Sequence, residues 1–193
     1  MASRVPHERT VKPGRLGLLA TYDACMPTDD HGSADGFSAI VGRLDYPMFI
    51  VTTKAVNERS GCLVGFATQV AIDPPRFLVA LSDKNRTFRV AGAAEHLAVH
   101  ILDRSQLALA ELFGSRSGDD TDKFAQCNWS DGPHGLPILD DAAAWFTGAI
   151  VGRVDLGDHV GFLLAPDSGE LRSDLSDPVM FDDVRHLDPG HGA

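Results

Sequence analysis

Leu63-Val-Gly-Phe-Ala-Thr-Gln-Val-Ala-Ile-Asp-Pro-Pro-Arg-Phe-Leu-Val-Ala-Leu-Ser82 is the stretch from which the fold is read. Apolar and β-branched residues dominate both halves, and Asp73-Pro74-Pro75 divides them. Neither proline can donate to a strand ladder, and a residue that precedes a proline is held out of the helical region. The first half therefore predicts a strand from Leu63 to Ile72, interrupted or bulged near Gly65. Phe77 to Leu81 predicts the next strand, resuming at once after the prolines.

Working outward, Met48-Phe-Ile-Val-Thr-Thr53 predicts a strand before this stretch, with Asn57-Glu-Arg-Ser-Gly61 as the turn between them. Phe37, Ile40, Val41 and Leu44 recur at helical spacing and predict a short helix stopped by Pro47. After Ser82, Asn85 or Thr87 could cap a helix carrying Phe88, Val90 and Ala91. Leu97, Val99 and Ile101 alternate as in a strand. Asp103-Arg-Ser-Gln106 has capping-box spacing and leads into Leu109, Leu112 and Phe113, with Gly114 as terminator. A helical piece surrounds Lys123-Phe124. Ala143 to Val154 and Val160 to Ala165 flank Asp155-Leu-Gly-Asp158, a four-residue hairpin turn by composition. Val179-Met-Phe181 predicts one further weak strand. Strands with two or three helices inserted among them predict a mainly β protein, a β-barrel decorated by inserted helices. The division expected is an N-terminal arm at 1–36, a barrel domain at 37–166 and a C-terminal extension at 167–193.

Composition narrows the function. The 193 residues suit one domain, and 17 Lys and Arg against 27 Asp and Glu give a formal net charge of −10. No cluster of cations offsets that, which argues against a duplex-binding or anionic-membrane surface and for a small molecule or another protein as partner. Cys25, Cys62 and Cys127 form no CxxC pair and fit a reducing cytosol. Met1 to Glu8 lacks an apolar signal core, and the apolar runs are far shorter than a membrane span. The expectation is a cytoplasmic, soluble chain. No P-loop, GxGxxG, GxSxG or HExxH pattern is present, so nucleophilic hydrolysis and P-loop chemistry have no support.

Four constellations remain. His96 and His100 have HxxxH spacing, but the segment reads as a strand, where four residues span about 13 Å and both rings cannot reach one ion. They are read as sheet histidines, and no metal site is expected. Ser82-Asp-Lys-Asn-Arg-Thr87 joins a strand end to a helix start, with hydroxyls, an amide, two cations and free helix N–H groups suited to a phosphate. The same residues also suit an ordinary capped helix with solvated Lys84 and Arg86. Asp158-His159 lies at a hairpin mouth, either as plain turn residues or as an imidazole presented to a ligand. Lys123-Phe124 is either a cation beside an aromatic wall or the first turn of a helix with its core anchor.

Taken in order, these pieces resemble the flavin reductase-like family, the FMN-binding split-barrel proteins that include reductase components of two-component flavin monooxygenases. The resemblance is carried by Leu63–Ser82, Asn85-Arg-Thr87, the strand at Leu97, the helix ending Leu109-Ala-Glu-Leu-Phe113, Asp122-Lys-Phe124, Gly135-Leu-Pro-Ile-Leu139 and Gly157-Asp-His159. It implies that Gly65, Phe66, Ala67 and Thr68 border the flavin ring and ribityl chain. It implies phosphate contacts from Ser82, Lys84, Asn85 and Thr87. Lys123, Phe124 and Asp158 are placed near the flavin, with His159 touching the flavin or the incoming nicotinamide. The implied protein is a homodimer that transfers hydride from NADH or NADPH to FMN or FAD and supplies a partner monooxygenase. Two alternatives are an oxidoreductase with tightly bound FMN and another donor, and a non-catalytic flavin-binding protein. The commoner family pattern has small polar residues, often Asn-Ser, at Gly65-Phe66. Hydride transfer draws on the cofactor's own reactivity, so the protein must stack rings, bind phosphate and tune electronics rather than supply a nucleophile. In so acidic a chain the cations must be concentrated locally, at Lys84, Arg86 and Lys123.

Overall fold

A computed structural model of the chain describes residues 31–188. The apolar patch at Leu16–Ala20 lies outside the described residues. Helix α1 (His31–Val41) starts earlier than its apolar spacing indicates, because its polar first turns carry no periodicity. It also ends earlier, at Gly42, whose N–H bonds Ser38 O at 2.9 Å. The chain divides between Arg43 and Leu44, and α1 belongs to the smaller unit.

The body is a seven-stranded antiparallel sheet built from β1 (Phe49–Ala55), β2 (Glu58–Val64), β3 (Ala67–Ala71), β4 (Arg76–Ser82), β5 (His96–Ile101), β8 (Ala144–Asp155) and β9 (His159–Leu171). A two-stranded piece, β6 (Trp129–Asp131) with β7 (Pro137–Leu139), stands beside it. The spatial order is β2-β1-β5-β8-β9-β4-β3. β2 and β3 sit at opposite ends of that order, yet only Gly65 and Phe66 separate them in sequence. So short a link forces the sheet to curl until its two edges meet, which makes the barrel. The helices α2 (Arg86–Gly92), α3 (Leu107–Ser115) and α4 (Phe181–Val184) decorate it.

The expected long strand at Leu63–Ile72 is therefore two strands broken at Gly65-Phe66. The expected turn at Asn57–Gly61 is also displaced. Ala55 pairs with Glu58, so the turn is Val56-Asn57, with Val56 at φ 55°. Gly61 lies within β2 for a packing reason. A Cβ there would come 2.9 Å from the Phe113 ring and 3.1 Å from the Thr52 methyl. The glycine lets α3 approach the sheet and marks no turn.

β1 explains its unbroken apolar run by facing two cores. Val51 packs inside the barrel with Val79, Leu81, Leu97, Val99, Phe162 and Leu164. Its neighbour Ile50 points the other way, to Leu102, Phe113, Phe124, Leu139 and Val179. Alternation puts successive side chains on opposite faces, and both faces are covered here. β9 continues to Leu171, so the boundary placed at 166 falls inside it. The chain then returns across the body. Val179 N–H bonds Leu102 O at 3.0 Å and Phe181 N–H bonds Tyr46 O at 2.8 Å. Val179–Phe181 forms isolated bridges and a short helix in place of a strand.

His100 is a core histidine. Its Nε2 accepts from Leu139 N–H at 3.2 Å, which leaves Nδ1 to donate to Ile50 O at 3.0 Å. Burial pushes its pKa down to about 4 from 6.5. A second ring proton would face the Leu139 N–H, so only the neutral ring fits. Because the folded value lies below the unfolded one, the unfolded chain takes up this proton first. The stabilisation is present above pH 6.5 and is lost as pH falls toward 4. It amounts to about 3 kcal/mol at neutral pH. In urea titrations from pH 7 to pH 4, wild type loses about that much more unfolding free energy than His100→Gln; parallel losses in the two proteins would contradict the assignment.

Candidate functional site

The junction that closes the barrel also borders a groove. The β4–β9 register sets Ser82 directly opposite His159. Gly65 and Phe66 come from the β2–β3 link. Together with Tyr46, Met48 and Phe181 these residues line a cleft of about 290 Å³. A second cleft of about 190 Å³ shares Met48, Cys62, Leu63, Asn85 and Phe181 with the first and adds Lys84, Arg86, Arg116 and Lys123. The pair makes one groove, aromatic at one end and cationic at the other.

Aromatic rings build the first end. Tyr46 and Phe181 stack with centroids 4.8 Å apart and planes 9° from parallel. The Phe66 ring meets the His159 imidazole edge to face at 5.3 Å and is 58% exposed. A Cβ at Gly65 would lie 2.6 Å from the Tyr46 ring and 3.1 Å from Met48 Sδ, so nothing larger fits unless they move. Gly157, at φ 98°, lets the β8–β9 hairpin reverse tightly enough to bring His159 here. His159 Nδ1 lies 2.8 Å from Asp158 Oδ1, and this hydrogen bond holds the Asp158 carboxyl below its usual range. With that carboxylate ionised, Nδ1 carries the proton and Nε2 is left for a ligand.

The other end gathers the expected cations Lys84, Arg86 and Lys123, but two of them are engaged by the protein itself. Lys123 is 4% exposed, and its Nζ donates to Arg116 O at 3.2 Å and to Phe113 O at 3.4 Å. It satisfies carbonyls at the C-terminal end of α3, as a cation does for a helix end. Burial pulls its pKa down. Arg86 is held by Glu58 at 3.0 Å and lies 3.9 Å from Asp119, which Arg89 also binds at 2.6 Å. Lys84 is exposed at the rim, where its charge helps hold Asp158 ionised.

The structure thus brings Gly65, Phe66, Ser82, Asn85 and His159 to one cleft, and Lys84, Asn85 and Lys123 to the adjoining one. Asp158 lies exposed beside His159. Asn85 is the N-cap of α2, its Oδ1 accepting from Thr87 N–H at 2.9 Å. The Thr87 hydroxyl is buried against Ser60 Oγ at 3.0 Å, and Phe124 packs in the core against Phe113 and Trp129. Ala67 and Thr68 lie on β3, and neither lines the groove. Sequence patterns missed Tyr46, Met48, Phe181 and Arg116. Phe181 reaches the groove only because the C-terminal segment pairs with Tyr46-Pro47, and no local spacing announces such a return.

Buried Cys62 has its thiol pushed up by burial, and burial likewise raises the Tyr46 hydroxyl. Neither is an activated nucleophile. The groove suits a ligand with a flat, largely apolar ring and an anionic tail, which is the outline of a flavin nucleotide.

A barrel closed at this link and carrying such a groove defines a flavin reductase-like protein. The chain belongs to that family: the family model described as "Flavin reductase like domain" matches residues 41–190. The chain is 34% identical over 114 residues to the stachydrine N-demethylase reductase subunit Stc3 of Rhizobium meliloti, an alignment covering 57% of this chain and 48% of that one. It is 32% identical over 134 residues to the FMN reductase (NADH) RutF of Variovorax paradoxus, covering 69% and 71%. The crystal structure of a flavin reductase domain protein from an Arthrobacter species superposes with a TM-score of 0.69 at 22% identity, over 76% of this chain and 89% of that one. The chain spans between 36% and 53% of the length of three of the curated relatives it matches.

Lys123 and Lys84 separate structure from binding. Lys123→Met leaves two carbonyls short of a donor and lowers the unfolding free energy by about 1–3 kcal/mol. Lys84→Ala changes it by less than about 0.5 kcal/mol. Urea melts of the two variants check this, and equal losses would be the wrong outcome.

Proposed function

We propose that this chain is an NAD(P)H-dependent flavin reductase that transfers hydride from a nicotinamide to FMN or FAD and supplies reduced flavin to a partner monooxygenase in the cytosol. The observation that carries this reading is the groove at the barrel closure in a member of this family. Its aromatic end suits a flavin ring, and its cationic rim suits a phosphate.

A bound flavin supplies the redox chemistry, accepting hydride from a reduced nicotinamide. The chain's own work is binding and orientation. Tyr46, Phe66 and Phe181 offer flat apolar surface and exclude water. Ser82 offers a hydroxyl beside the ring end, and Lys84 an exposed cation for the phosphate. Arg86, half-neutralised by its carboxylates, and Lys123, engaged by carbonyls, contribute positive potential more than direct contacts. His159, oriented by Asp158, presents Nε2 toward the ligand. Gly65 and Phe66 carry no polar side chain, so polar contacts from this link to a flavin would come from its backbone.

Purified protein with FMN or FAD is expected to oxidise NADH or NADPH in a flavin-dependent assay. Absence of turnover with every pair, or bound flavin bleached anaerobically by neither nicotinamide, would overturn the reading. His159→Ala is expected to slow turnover about 10-fold or more, the scale of one lost polar contact of about 1.4 kcal/mol to the reacting complex. Lys84→Ala raises the flavin KM without lowering kcat to the same degree.

The same proposal includes a homodimer. Val154, Leu156 and Leu78 converge over Gly161, where a Cβ would meet all three within 3.1 Å. Val154 on β8, Leu156 in the β8–β9 turn and Val70 on β3 are each about half exposed. Such apolar surface favours association with a second copy of the chain. Light scattering is expected to give twice the chain mass for wild type and a shift toward the single-chain mass for Val154→Glu. A monomeric wild type contradicts this part alone.

A further inference from the structure

Away from the groove, three side chains from three separate elements converge. His96 starts β5, His134 sits in the turn between β6 and β7, and Asp167 lies on β9. One donor atom of each lies within 4.8 Å of the others. His134 Nε2 is 3.2 Å, and His96 Nε2 is 3.6 Å, from Asp167 Oδ2. The two rings stack with centroids 3.7 Å apart and planes 12° from parallel. This cluster belongs to a different end of the barrel from the groove. Asp167 and His159 both lie on β9, eight residues apart, or roughly 26 Å along a strand.

We propose that His96, His134 and Asp167 form a binding site for a divalent first-row transition-metal ion of the Zn2+ type. Two imidazoles and one carboxylate suit Zn2+, Co2+ or Ni2+, whereas Mg2+ and Ca2+ take oxygen donors. Metal–ligand bonds of about 2.0–2.2 Å place neighbouring donors of a tetrahedral site about 3.3 Å apart. The two nitrogen-to-carboxylate distances already bracket that value. What must change is the stack: lone pairs lie in the ring planes, and rings 12° from parallel do not aim theirs at one point, so at least one imidazole must rotate out of the stack for both nitrogens to reach the ion. Three protein donors leave the fourth position to water.

Two further features support the assignment. The Asp167 carboxylate is oriented from behind, because its Oδ1 accepts a hydrogen bond from the hydroxyl of fully buried Thr147. That leaves Oδ2 to face the imidazoles, and metal-ligating groups are commonly held by such outer partners. His134 has φ 58° and is followed by Gly135 at φ 68°. A non-glycine residue in the left-handed region is uncommon, and here that backbone places the ring over His96. The HxxxH pair weighed from sequence stays excluded, since both nitrogens of His100 are used in the core. His96 finds its partners across the fold instead. A bound ion would clip the β6–β7 turn to the barrel strands β5 and β9.

The test uses the full chain, stripped with chelator and titrated with Zn2+ alone by calorimetry, with Co2+ absorption as the spectroscopic readout. Wild type is expected to take up an ion that raises its Tm. His134→Ala and Asp167→Asn, each folded by circular dichroism, are expected to weaken that binding about 100-fold or more. His186→Ala, elsewhere on the surface, leaves it unchanged. Should a variant fail to fold, a measurement on wild type decides: Zn2+ is expected to protect His96 and His134, but not His186, from carbethoxylation. No binding by wild type, undiminished binding in either folded variant, His134→Ala or Asp167→Asn, or equal modification with and without Zn2+ would each overturn the proposal. None of these readouts involves flavin turnover, so they stand apart from the proposed activity.

Discussion

The structure depends on one closure. β2 and β3 occupy opposite edges of a seven-stranded sheet, and two residues, Gly65 and Phe66, connect them. Ala80 N–H bonds the Phe66 carbonyl at 2.9 Å, carrying the β4 pairing up to the link itself. The link closes only because Gly65 has no side chain, with Tyr46 and Met48 already in the space a Cβ would need. Tyr46 is held in turn by its stack on Phe181, which the C-terminal segment delivers. Closure of the barrel, docking of the tail and the aromatic wall of the groove are therefore one packing problem. A side chain at 65 would have to displace Tyr46.

Charge is handled by local pairing more than by accumulation. With a net charge of −10, a groove proposed to take anionic nucleotides needs positive potential that its surroundings do not cancel. The chain spends several cations on its own structure. Arg89 and Arg86 fasten α2 to Asp119 and Glu58, and Lys123 closes the end of α3. Surface pairs of this kind contribute little stability singly. They matter here because they order the loop at 116–122 against the start of α2, beside the cationic end of the groove. Lys84 remains exposed at its rim, with its charge directed toward Asp158 as well as toward solvent.

Much of the fold was legible because its signals are local. The proline pair, the alternation at Leu97–Ile101, the Asp103–Gln106 box and the glycine turn before His159 each act within a few residues. The failures share the opposite property. Gly61 mimicked a turn residue, but its reason is Phe113, fifty-two positions away in sequence and 2.9 Å from its would-be Cβ. At Lys123 and Phe124 the sequence left two readings, because a cation beside an aromatic ring suits both a ligand and a core; burial puts the Phe124 ring in the core, while Lys123 borders the groove with its ammonium on backbone carbonyls. Ser82 and His159 were legible as separate turns. That they face each other follows from the β4–β9 register, which no spacing within either segment encodes.

The protonation states in the groove bear on which chemistry it can serve. Burial raises both the Cys62 thiol and the Tyr46 hydroxyl, so the inner wall stays neutral at physiological pH. Asp158 is held ionised, but it sits on the exposed hairpin turn and addresses the groove only through His159. The aromatic end, neutral and bounded by one oriented imidazole, is poorly equipped for nucleophilic attack, which needs an activated anion. It is compatible with the proposed hydride transfer between two stacked rings, which asks the protein for alignment and exclusion of water. The rigidity that alignment requires is supplied by the barrel, since Ser82 and His159 are carried on paired strands and not on free loops.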